Sequence, residues 1–108
     1  MKLTVRTRHL DLTPEASKLL RHTIYTTLAR ISPWIRAVDV TITDVNGPKG
    51  GADKQCRLRI RGRSIPSVVI EHVGIDTVAT VARAAGRAEQ AIVRKLARRR
   101  VFGPLLAY

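Results

Sequence analysis

Apolar and polar residues alternate from the start of the chain. Leu3, Val5 and Thr7 are interleaved with Lys2, Thr4, Arg6 and Arg8. A period of two marks a strand with one buried face. Leu12-Thr13-Pro14-Glu15 changes the pattern. Thr13 can cap a helix, Pro14 suits its first position, and Glu15 suits the positive end of its dipole. Ala16, Leu20, Ile24, Leu28 and Ile31, with Leu19 beside them, keep helical spacing. Pro33 is expected to end that helix. Val38, Val40 and Ile42 alternate with Asp39, Thr41 and Thr43, which predicts a second strand. Asn46-Gly47-Pro48-Lys49-Gly50-Gly51 is turn material. Cys56, Leu58 and Ile60 alternate with Arg57, Arg59 and Arg61 in a third strand. Gly62-Arg63-Ser64 turns the chain, and Val68-Val69-Ile70 predicts a fourth strand. Asp76 can cap a last helix, with Val78, Val81, Ala85, Ala88, Ile92 and Leu96 on its apolar face and its end near Arg100.

The predicted order is β-α-β-β-β-α. Strands joined through a helix tend to lie parallel, and the short-looped strands that follow should pair antiparallel. Each helix has one apolar face, so both are expected on one side of a four-stranded mixed sheet. This is a two-layer α+β fold with the other sheet face open. One domain over residues 1–100 is expected, followed by a tail over 101–108 that is mostly apolar.

Charge changes the picture most. The 108 residues carry 20 Lys plus Arg against 8 Asp plus Glu, a formal net charge of +12. Arginine outnumbers lysine 15 to 5. A polyanionic partner would relieve the resulting self-repulsion, with nucleic acid ahead of an anionic membrane. The single cysteine excludes an intrachain disulfide and a multi-cysteine zinc site. There is no apolar signal region at Met1–Arg6, and no apolar run long enough to span a bilayer. A reducing cytoplasm is the expected compartment.

Alternation places Arg57, Arg59 and Arg61 on the open face if Cys56, Leu58 and Ile60 point inward. Lys2, Arg6 and Arg8 follow if Leu3 and Val5 point inward, and only Asp39 and Glu71 obviously offset them. A solvated strand kept soluble by charge is the bland alternative, but it does not explain the single sign. The last helix adds Arg83, Arg87, Arg94, Lys95 and Arg98. Arg83 and Arg87 are one turn apart, as are Arg94 and Arg98, so each pair can share a face. Basic residues near a helix end favour the dipole, which covers the later group but not Arg83 and Arg87. Lys49 and Lys54, in or beside the glycine-rich turn, can touch phosphate, although a plain turn explains that segment equally well. These thirteen cations are the candidate RNA-binding residues. Trp34 either plugs the end of the core, the preferred reading, or stacks on a base. The open face lacks the aromatic platform of a single-strand reader, so shape and charge recognition of folded RNA fits it better.

Catalytic constellations are weak. His9, His22 and His72 have no metal-ligand spacing. Cys56 and His72 fall on neighbouring predicted strands, yet Cys56 belongs to the inward series. No enzyme activity, metal, cofactor or small-molecule substrate is expected.

With these features the chain resembles the ribosome hibernation-promoting factor family, which includes the ribosome-associated inhibitor A. The resemblance covers most of residues 1 to about 100. Arg8-His9-Leu10-Asp11-Leu12-Thr13-Pro14-Glu15-Ala16 resembles the family's strand-to-helix junction. Asp44 through Arg57 resembles the connection between the second and third strands of its short forms, and Asp76 the acidic residue that opens the second helix. Val78 departs from the tyrosine that members often carry two residues after that acid. The resemblance implies the β-α-β-β-β-α fold, itself similar to a double-stranded-RNA-binding domain. It implies a translation inhibitor that binds the small ribosomal subunit and its RNA in the channel used by messenger and transfer RNA. The family's long forms carry an added C-terminal domain that pairs ribosomes; for a chain read to Tyr108, self-sufficient ribosome dimerisation is not expected. The alternative is a general structured-RNA-binding protein or RNA chaperone.

Overall fold

The computed structural model describes residues 1–45 and 53–98. Strand β1 is Lys2–Arg8, helix α1 Pro14–Leu28, strand β2 Ile35–Asp44, strand β3 Lys54–Gly62, strand β4 Val68–Gly74 and helix α2 Thr77–Arg98. Lys49 and the rest of its glycine-rich segment lie outside the described residues, as do Arg99, Arg100 and the tail 101–108.

Local chemistry sets the helix starts. The Ala16 N–H donates to the Thr13 hydroxyl at 3.1 Å, and Pro14 sits in the first turn. The Ala79 N–H donates to the Asp76 carboxylate at 2.8 Å. Both side chains satisfy donors that a helix N-terminus leaves unpaired. His9, with φ of 57°, turns the chain into the left-handed region just after β1.

Two boundaries differ from expectation. Helix α1 stops at Leu28, and residues Ala29–Trp34 tighten into a 3-10 helix that contains Pro33. Proline has no N–H for the Ala29 carbonyl and crowds it, so regular α-helix cannot carry through to Pro33. Ile31 stays fully buried in the tightened segment. Strand β4 runs on past Ile70 to Gly74, because Glu71, His72, Val73 and Gly74 keep pairing with β3. The alternation weakens there, and pairing extends the strand beyond its apolar run.

The sheet order is β1-β2-β3-β4, with β1 parallel to β2 and the other pairs antiparallel. The two helices and the inner sheet face share one core of Leu20, Ile24 and Leu28 from α1, Val38, Val40, Ile42, Cys56, Leu58 and Ile60 from the strands, and Val81, Ala85, Ile92 and Leu96 from α2. Burying a leucine or isoleucine stabilises by about 1.5–3 kcal/mol, so this layer dominates the fold's stability. Trp34 is half-buried against that core, and its carbonyl accepts the Arg63 N–H at 2.8 Å. Gly74 lets the end of β4 meet α2 closely, since a Cβ there would clash with Thr80 Oγ1.

Candidate nucleic-acid interface

The strand registers bring the arginines together. Arg57, Arg59 and Arg61 stand opposite Thr41, Asp39 and Ala37 of β2. Those residues in turn stand opposite Arg6, Thr4 and Lys2 of β1. Directly opposed residues share a face. Cys56, Leu58 and Ile60 are 0 % exposed while the arginines between them are exposed, so β3 separates a buried face from a basic one. Lys2, Arg6 and Arg8 are exposed on the same open side.

Two shallow depressions mark this surface. Arg6, Asp39, Thr41, Arg57, Arg59 and Arg61 line one. Arg8, Thr41, Thr43, Gln55, Arg57 and Glu71 line the other. Arg61 Nη2 lies 3.3 Å from Asp39 Oδ2, and Arg57 Nε lies 3.9 Å from Glu71 Oε1. Arg6, Arg8 and Arg59 have no ion-pair partner among the described residues. Thr41, Thr43 and Gln55 are polar neighbours that sequence reasoning did not single out. Their signal was present, because they occupy the same alternate positions as the basic and acidic residues. Arg63, also not singled out, is exposed just beyond β3.

The second basic element is α2. At about 100° per residue, Arg83, Arg87, Arg94 and Arg98 fall within an arc of about 60° and extend over about 22 Å. All four are exposed, opposite the buried row Val81, Ala85, Ala88, Ile92 and Leu96. Arg87 Nη1 donates to the Glu71 carbonyl at 3.0 Å. The helix stripe touches the sheet at its edge strand β4, where Glu71 accepts from Arg87 through its carbonyl and faces Arg57 with its carboxylate.

Lysines fare differently. Lys54 shares the parity of Cys56 and Leu58, so it is not brought to the open face. Its Nζ lies 3.0 Å from Asp53 and 3.5 Å from Asp44, with only 18 % of the side chain exposed. The hydrogen bond to Asp53 leads in raising its pKa, against the opposing effect of burial. Alternation alone could have indicated this inward placement. Lys95 is half-buried, and as the next residue it is turned about 100° from Arg94 and lies about 60° beyond the edge of the stripe.

Cys56 and His72 are directly paired across β3 and β4. Burial pushes the Cys56 thiol up to about 12, so at neutral pH it is a protonated core residue and not an activated nucleophile. Among the described residues, no group of three or more His, Cys, Asp or Glu is placed to hold a metal ion. No described helix is long and apolar enough to cross a membrane.

A scan of protein-family models and a search of curated proteins give no match to this sequence. Solved structures do match it. A ribosomal subunit interface protein from Coxiella burnetii superposes with a TM-score of 0.71 at 14 % identity, covering 90 % of this chain and 99 % of that one. The N-terminal domain of Protein Y from Thermus thermophilus superposes with a TM-score of 0.63 at 18 % identity, covering 87 % and 98 %. The two-layer α+β arrangement of this chain, with its four-stranded mixed sheet and open basic face, is built on the fold of those proteins.

Proposed function

We propose that this chain is a ribosome-binding translation inhibitor of the hibernation-promoting factor family, acting in the cytoplasm. One observation carries the reading: Arg6, Arg57, Arg59 and Arg61 gather on the open sheet face, and the α2 stripe reaches the edge strand β4 of that sheet through Arg87 at the Glu71 carbonyl. Arginine-rich surfaces of this extent match the phosphates of folded RNA. The motif resemblance and a fold shared with a ribosomal subunit interface protein support the ribosome as the source of that RNA. In this reading the small subunit's channel for messenger and transfer RNA is the docking site. Lys2, Arg6, Arg8, Arg57, Arg59, Arg61, Arg83, Arg87, Arg94 and Arg98 contact ribosomal RNA phosphates. Occupancy blocks translation and protects an idle ribosome, with no chemical step.

Phosphate contacts position a protein but carry no sequence information, so selectivity comes from shape. Co-sedimentation with purified small subunits, large subunits and an unrelated duplex RNA tests this directly. Retention on small subunits at a salt concentration that strips the other two is the expected result. Equal binding to all three defeats the ribosome reading in favour of a general RNA-binding protein.

A further inference from the structure

Each basic depression on the open face contains one carboxylate. Asp39 sits among Arg6, Arg57, Arg59 and Arg61. Glu71 sits with Arg8 and Arg57. Beyond offsetting some of the arginine repulsion, folding gains little from either acid. Both ion pairs are solvent-exposed, with side-chain exposures of 48 % and 32 % for Arg61–Asp39 and 63 % and 57 % for Arg57–Glu71. Such pairs contribute about 0–1 kcal/mol. Aspartate and glutamate are also poor strand formers.

A face shaped only to attract phosphate would omit them. Phosphate oxygens and ionised carboxylates are both acceptors only, so between them there is repulsion and no hydrogen bond. A hydroxyl or amino group behaves in the opposite way and donates to the carboxylate. Structured RNA presents 2′-hydroxyls among its phosphates, donors that DNA and inorganic polyphosphate lack. We propose that Asp39 and Glu71 are specificity residues. They orient Arg61 and Arg57, reject polyanions whose backbones offer acceptors alone, and accept hydrogen bonds from the 2′-hydroxyls of a structured RNA. The inference rests on the open face being the RNA surface.

The experiment compares wild type with Asp39→Asn and Glu71→Gln, tested separately, on four ligands: inorganic polyphosphate, duplex DNA, a duplex RNA of equal length, and purified small subunits. Each variant should bind polyphosphate and DNA about threefold to tenfold more tightly at low salt, with the gain shrinking as salt screens the charge. The salt dependence on polyphosphate and DNA should steepen by somewhat under one unit. Binding to duplex RNA and small subunits should stay level or weaken, so the RNA-to-polyphosphate ratio falls. A parallel gain on all four ligands overturns the inference, because it shows charge without discrimination. No change on any ligand overturns it as well. The ribosome reading is judged separately, by whether the wild type prefers small subunits over the RNA duplex.

Discussion

The inner and outer faces of strand β3 differ in almost every property, although their residues alternate along one chain. Cys56, Leu58 and Ile60 are fully buried under the helices, while Arg57, Arg59 and Arg61 stand in solvent beside Asp39 and Glu71. The inner set makes the fold by removing apolar area from water. The outer set adds little stability, since exposed ion pairs nearly cancel against their cost in side-chain entropy. Stability and binding can therefore be altered separately by substitutions one residue apart.

The strongest way to break this contrast is Leu58→Ser. It leaves a cavity and a buried hydroxyl in the centre of the sheet. A loss of roughly 2–5 kcal/mol is expected, read as a lower midpoint in urea with an unchanged slope.

Alkaline pH attacks the same inner face. Burial raises the Cys56 thiol from 9.0 to about 12, so the folded state holds its proton more tightly than the unfolded chain. That stability is fully present below pH 9 and is lost as pH rises from about 9 to about 12. A Cys56→Ala variant, weaker at pH 8, should show a flatter decline between pH 9 and 11 in urea titrations. Parallel declines would show that another group governs the alkaline limb.

Gly74→Ala tests the close approach of β4 to α2. The added methyl would run into Thr80 Oγ1, so a loss of about 1–3 kcal/mol is expected. A Gly74→Ala, Thr80→Ala double variant should recover part of it, and strict additivity would show that the clash is relieved elsewhere.

The smallest effect on stability should come from the outer face. Replacing Arg57, Arg59 and Arg61 together with serine should change unfolding free energy by about 1 kcal/mol or less, because two weak ion pairs disappear while mutual repulsion is relieved. Affinity for RNA should fall markedly, and the salt dependence should flatten by up to about 0.9 for each phosphate no longer neutralised. Unchanged small-subunit binding at raised salt would remove the open face from the interface and leave Arg83, Arg87, Arg94 and Arg98 to carry it.

Much of the fold was legible because its rules are local. Thr13 and Asp76 announce helix starts through side-chain oxygens that reach N–H groups three residues on. Alternation in β1, β2 and β3 assigns each side chain to a face, since a strand has a period of two. It also separates Arg57 from Leu58 without any knowledge of neighbours. The same rule turns Lys54 inward, where it meets Asp44 and Asp53.

Other features depend on residues far apart in the chain. The end of β4 is set by its pairing with β3, not by its own composition. The tightening of the chain at Ala29–Trp34 combines a local cause, Pro33, with a tertiary one, the burial of Ile31 in the core. By itself the sequence determined the element order, the face of each strand residue and the excess of positive charge, because spacing and composition act over a few residues. Only the tertiary structure decided that Arg57 and Arg87 meet on opposite groups of Glu71, and that Asp39 lies within a ring of arginines. Those placements arise when strands and helix pack across the core, and no local periodicity encodes the distance between elements.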